Sequence, residues 1–133
     1  MKKLLTLLFS LFLLVSPSVF AETVLFCQSE LATGFIKKNG SWKEMNFMLD
    51  RYTVKFNNDY SRLEGLTYNP MECKVPYSVR PELIFCVHSV GSHETFIYDK
   101  KKTRFSFSNV SAGGYAFDGE DTEVLLVGNC KEF

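Results

Sequence analysis

From Thr23 onward, apolar and polar residues alternate in short runs separated by turn residues, the signature of β-strands rather than helices. Thr23-Val24-Leu25-Phe26-Cys27 opens as one strand and residues 32–37 read as a second. Asn39-Gly40 follows, the strongest short hairpin signal, because both residues tolerate the positive φ of a tight turn. Arg51–Phe56 alternates cleanly, with Tyr52, Val54 and Phe56 on one face and Arg51, Thr53 and Lys55 on the other. Asn57-Asn58-Asp59 ends that run. Residues 63–68 read as a strand before Asn69-Pro70. Residues 82–90, with Leu83-Ile84-Phe85-Cys86-Val87, are the most apolar stretch and read as a central strand.

The next hairpin can be assigned a register. Strands at 95–98 and 103–107 flank Asp99-Lys100-Lys101-Lys102. Pairing Tyr98 with Phe105 and Phe96 with Phe107 gathers four aromatics on one face and sets Asp99 opposite Arg104. Gly113-Gly114 then marks a turn, Tyr115-Ala116-Phe117 a short strand, Asp118-Gly119 another turn, and 122–127 the closing strand, with Gly128 loosening the chain before Cys130. One stretch carries a competing signal. Ser41-Trp42-Lys43-Glu44 forms a capping box, and Trp42, Met45, Met48, Leu49 and Tyr52 recur at near-helical spacing. A returning strand is preferred there, since Asn39-Gly40 demands one and the alternation at 52–56 follows at once. The expected fold is all-β: a single antiparallel barrel or sandwich of about eight to nine short strands.

The beginning of the chain has a different pattern. Lys2 and Lys3 precede an apolar run over residues 4–15. Ser16-Pro17-Ser18 breaks the run, and Val19-Phe20-Ala21 offers a cleavage site before Glu22. This reads as a secretory signal peptide over 1–21, because a bilayer span needs about 20 apolar residues. The expectation is an exported protein, periplasmic or secreted, with one domain over 22–133. Lacking a later run of spanning length, the processed chain is expected to have no transmembrane segment and to be a monomer.

Composition then narrows the class. The 133-residue chain carries 15 basic and 15 acidic residues, and loss of Lys2 and Lys3 turns the balance slightly negative. That argues against nucleic acid as a partner, which selects a basic excess. Aromatic residues make up 15% of the chain, 13 of them Phe, enough to drive collapse and exclude disorder. Four cysteines in a short exported chain imply two disulfides. Position favours a nested arrangement among the three connectivities. Cys27 and Cys130 would join the first and last strands of a closed sheet, while Cys73 and Cys86 would tie the ends of the Pro76–Pro81 loop. No Cys-x-x-Cys spacing supports zinc or redox chemistry.

Candidate chemistry is sparse. His88 and His93 point to opposite faces if their strand continues, and no carboxylate pattern completes a metal motif. Ser89, Ser92 and His93 lack the Gly-x-Ser-x-Gly elbow of a hydrolase. Asp118-Gly119-Glu120-Asp121 lacks the ligand series of a calcium loop and reads as a solvated turn. Lys100, Lys101, Lys102 and Arg104 form a basic tip, with Lys101 a candidate contact for an acidic group. Asn39-Gly40-Ser41 and Asn109-Val110-Ser111 match the N-glycosylation pattern. Trp42, the only tryptophan, is a candidate interface anchor or hairpin-packing residue, and Tyr115 a candidate exposed aromatic. The expectation is a non-enzymatic binding domain without cofactor or metal, acting on a protein or other extracellular ligand.

Phe26-Cys27, Gly113-Gly114-Tyr115 and the ending Gly128-Asn129-Cys130-Lys131-Glu132-Phe133 resemble small uncharacterised secreted bacterial β-domain proteins. That resemblance implies an exported module and no activity. Phe96-Ile97-Tyr98-Asp99 and Ser111-Ala112-Gly113-Gly114-Tyr115 resemble, locally, the periplasmic inhibitors of c-type lysozyme. Those are small antiparallel barrels with paired terminal cysteines and a Ser-Gly-x-x-Tyr-type loop that enters the lysozyme cleft. The resemblance implies a proteinaceous inhibitor of a secreted hydrolase with Ser111 and Tyr115 on its inhibitory loop. Two departures stand: Ser111 lies two residues before Gly113, and Ala116-Phe117-Asp118 replaces the family's Trp-containing strand.

Overall fold

The structure, a computed structural model, describes residues 21–88 and 93–133. The expected signal segment, apart from Ala21, lies outside the described residues. So do Ser89, Val90, Gly91 and Ser92, and with them the hydrolase reading and the turn that would bring His88 to His93.

Among the described residues, nine strands form one antiparallel sheet: β1 (Thr23–Lys38), β2 (Ser41–Asn46), β3 (Arg51–Phe56), β4 (Arg62–Glu64), β5 (Met71–Lys74), β6 (Leu83–His88), β7 (Glu94–Asp99), β8 (Arg104–Asn109) and β9 (Glu123–Glu132). The order is β2-β1-β3-β4-β5-β6-β7-β8-β9, and β9 also pairs with β1. The result is a closed eight-stranded barrel, with β2 as an additional strand. Closure removes the free edges that an open sandwich would leave on β1 and β9.

Alternation fills the interior. Leu25, Val54, Phe56, Leu63, Met71, Ile84, Phe96, Tyr98 and Phe105 are buried together. Phe56 stacks on Tyr98 at 5.9 Å between centroids, and Phe96 on Phe105 at 5.5 Å. Burial raises the Tyr98 phenol above its ordinary value, with the neighbouring Tyr60, Glu132 and Asp99 adding to the effect. The β7–β8 register pairs Tyr98 with Phe105, Phe96 with Phe107 and Asp99 with Arg104, as the sequence pattern requires. The Asp99 carboxylate accepts the Lys101 and Lys102 backbone N–H groups, both at 2.9 Å, and so shapes the tip. Both disulfides take the nested arrangement, Cys27–Cys130 across the closing seam and Cys73–Cys86 across β5 and β6.

Several local expectations are corrected. The two opening strands are one continuous strand, β1. Its polar middle carries a bulge between Ser29 and Leu31. There β1 changes partner, from β3 at Gln28↔Arg51 to β2 at Thr33↔Asn46. Buried Ser29 satisfies the junction: its hydroxyl accepts the Asp50 N–H at 2.6 Å and donates to the Asp50 carbonyl at 3.0 Å. Residues 63–68 do not form one strand, because β4 stops at Glu64, before Gly65 at φ 93°. Met71–Lys74 is a strand that the pattern did not single out. Tyr115-Ala116-Phe117 forms a short 3-10 helix, not a strand, closed by the Asp118 N–H on the Tyr115 carbonyl at 3.1 Å. The closing strand runs on through Gly128 and Cys130 to Glu132. The returning strand expected after Asn39-Gly40 is present, in contrast, as β2, behind Asn39 (φ 53°) and Gly40 (φ 75°), and the capping box forms no helix.

Candidate functional site

The period of two along β1 turns Leu31, Thr33, Phe35 and Lys37 outward beyond the bulge. The hairpin register sets Phe35 opposite Glu44 and Lys37 opposite Trp42. Across the seam, Phe35 lies opposite Glu123 and Thr33 opposite Leu125. Phe35 is therefore the middle of a row, Glu44–Phe35–Glu123, on the outer face of three strands. The 3-10 helix after β8 brings Tyr115 over that row.

These five residues, Phe35, Trp42, Glu44, Tyr115 and Glu123, line a cleft of about 500 Å³. Trp42 and Tyr115 form one wall, edge to face with centroids 5.6 Å apart. Tyr115 remains 65% exposed and Phe35 49%, so two of the three rings present apolar surface to solvent. A smaller groove of about 280 Å³ continues past Phe35 along Thr33, Ser108, Val110 and Leu125.

The loop that carries Tyr115 is tied down at three points. Lys37 Nζ donates to the Asp118 carboxylate and to the Asp118 carbonyl, each at 2.9 Å. Ser111 donates its hydroxyl to Asp121 and accepts the Gly113 N–H at 3.1 Å. The Tyr115 N–H donates to Glu123 at 2.9 Å. The Lys37 hydrogen bond and then its charge hold the Asp118 carboxyl below its ordinary value, with help from the Trp42 indole. That indole N–H is close enough to act on Asp118, yet it is buried without completing a well-formed hydrogen bond.

The sequence candidates separate accordingly. Trp42 and Tyr115 meet in the cleft. Ser111 lies in the same loop, where its hydroxyl organises the turn. Lys101 sits at the opposite end of the barrel, because its hairpin tip adjoins Cys130 through the Cys130 N–H on the Thr103 carbonyl. Beside it, Lys100 lies over the Tyr60 ring at 4.6 Å. Cys27, Cys73, Cys86 and Cys130 are all in disulfides. Phe35, Glu44 and Glu123 were missed by sequence reasoning. The Asn39-Gly40 turn could have supplied Phe35 and Glu44, since a two-residue hairpin fixes their register.

A larger depression of about 550 Å³ lies among Asn57, Ser61, Arg62, Asn69 and Met71. Its polar groups bond to one another and their neighbours: Asn57 to Ser61 and the Arg62 N–H, Ser61 to Asp59, Arg62 to Glu64. Among the described residues, no three His, Cys, Asp or Glu side chains gather to hold a metal ion, and no helix is long and apolar enough to cross a membrane. Comparison with protein-family models, curated proteins and solved structures finds no match.

Proposed function

We propose that this is an exported, non-enzymatic binding domain that holds a protein partner at the Phe35–Trp42–Tyr115 cleft. The carrying observation is the combination of an exposed Tyr115 with a loop fixed by Lys37–Asp118, Ser111–Asp121 and Tyr115–Glu123. Large aromatics on a pre-ordered support give contact area with little entropy left to lose, which is how interface anchors work. The test is partner capture with purified protein, compared with Trp42→Ala, Tyr115→Ala and, at the far end, Lys101→Ala. The first two should abolish capture and the third should leave it intact. Equal capture by all four proteins would remove the cleft from the interface.

The protruding, anchored Tyr115 also favours a second reading, a proteinaceous inhibitor that inserts this loop into the cleft of a secreted hydrolase such as a c-type lysozyme. Ser111 then acts as the residue that shapes the loop. A lysozyme inhibition assay decides it, and no inhibition at micromolar protein ends this reading.

A further inference from the structure

We propose that the cleft receives the guanidinium group of an arginine carried by the partner protein, an inference that rests on the binding reading above. The row Glu44–Phe35–Glu123 sets an aromatic ring between two carboxylates on one face. Neighbouring strands lie about 4.8 Å apart, so the two acidic positions are separated by about 10 Å, with Phe35 beneath the gap. A planar cation resting on Phe35 reaches a carboxylate on either side. Trp42 and Tyr115 flank it with further aromatic surface, which attracts cations through the ring quadrupole.

Nearby positive charge does not already fill this role. Glu44 and Glu123 enter none of the ion pairs among the described residues. Lys37, on the same face, is paired with Asp118, and alternation turns Lys43 to the other face of β2. Guanidinium suits the site better than ammonium: it is flat, more weakly hydrated, and presents forked donors to carboxylates while stacking on a ring. A hard metal ion is disfavoured, because it wants converging oxygens and the carboxylates stand on either side of a hydrocarbon ring. An anionic ligand would be repelled by both.

The experiment uses isotope-labelled protein and three probes: Nα-acetyl-arginine amide, its citrulline counterpart of the same shape without charge, and Nα-acetyl-phenylalanine amide. The readouts are the Trp42 indole and Tyr115 amide resonances. The arginine compound should shift both saturably, and the citrulline compound should bind about tenfold more weakly. Glu44→Gln and Glu123→Gln should each weaken arginine binding several-fold. In Glu123→Gln the new amide oxygen still accepts the Tyr115 N–H, so the loop keeps its tie while the charge is lost. Equal binding of arginine and citrulline compounds, or no change in either variant, overturns the arginine assignment. Saturable shifts with the phenylalanine compound alone also overturn it but leave the binding reading standing. If no probe moves the cleft while partner capture still depends on Trp42 and Tyr115, the arginine assignment falls and the binding reading stands. If capture does not depend on them either, both fall.

Discussion

Trp42 on β2 and Tyr115 in the loop after β8 meet edge to face, with their centroids 5.6 Å apart. The contact joins the extra strand to the far side of the seam. Trp42→Ala and Tyr115→Ala should each destabilise the fold modestly. The double variant should be less damaging than the sum by about 0.5–1.5 kcal/mol, the usual size of an aromatic pair. Chemical denaturation of the four proteins measures it, and strict additivity would mean that the rings touch without coupling.

Asp118 gives the loop a pH dependence of definite sign. Its carboxyl is held below the ordinary value, first by the Lys37 hydrogen bond and then by Lys37 charge. A depressed folded pKa adds stability at pH above the unfolded value, near about 3.9, that is lost as pH falls through the lower folded one. The Gly119 amide resonance, next to Asp118, should therefore stay constant near neutrality and move only in strong acid. Lys37→Met should shift that transition upward. An unchanged midpoint in the variant would show that Lys37 does not hold Asp118 in solution.

Two glycines on the β1–β9 seam leave no room for a side chain. A Cβ at Gly34 would lie 1.9 Å from the Glu123 carbonyl oxygen, and one at Gly128 would lie 2.0 Å from that of Gln28. Both obstacles are backbone, so the seam itself would have to shift. Gly34→Ala and Gly128→Ala should each cost about 3 kcal/mol or more. Gly40→Ala, with open space around it but φ 75°, should cost only about 1 kcal/mol. Melting temperatures in that order would support the seam geometry.

The two disulfides should differ in their effect. Cys27–Cys130 spans 103 residues and Cys73–Cys86 spans 13. In the chain-entropy model these loops contribute about 4.7 and about 3 kcal/mol. Paired alanine replacement of Cys27 and Cys130 should therefore lower the denaturation midpoint more than replacement of Cys73 and Cys86. The reverse order would place the main restraint at the β5–β6 hairpin.

How far the sequence reaches depends on whether the determining contact is local. The β7–β8 register was readable because a short turn and opposed aromatics define it together. The nested cysteines were readable because closure of a sheet brings Cys27 to Cys130. Gly65 was not recognised as the end of β4, since a positive φ leaves no mark in an alternating pattern. Tyr115-Ala116-Phe117 alternates like a strand, but the tight loop around it favours 3-10 hydrogen bonds. Glu123 was the least accessible. Counting from Cys27↔Cys130 without the bulge sets Gly34 against Glu123, and the one-residue slip at Ser29–Leu31 substitutes Phe35. The composition of the cleft thus hangs on an irregularity that Asp50, remote in sequence, helps to fix.

The β1–β9 seam has a further meaning for a chain made from its N-terminus. Until residues 123–132 arrive, β1 has its partners on one side only, and its edge from Leu25 to Phe35 stays open. An open edge is a template for pairing with another chain. Contacts between distant segments are also the slow ones to form. Pairing of β9 with β1 is what makes a barrel of a ribbon of strands, and the Cys27–Cys130 disulfide is a covalent record that this pairing has been made within one chain.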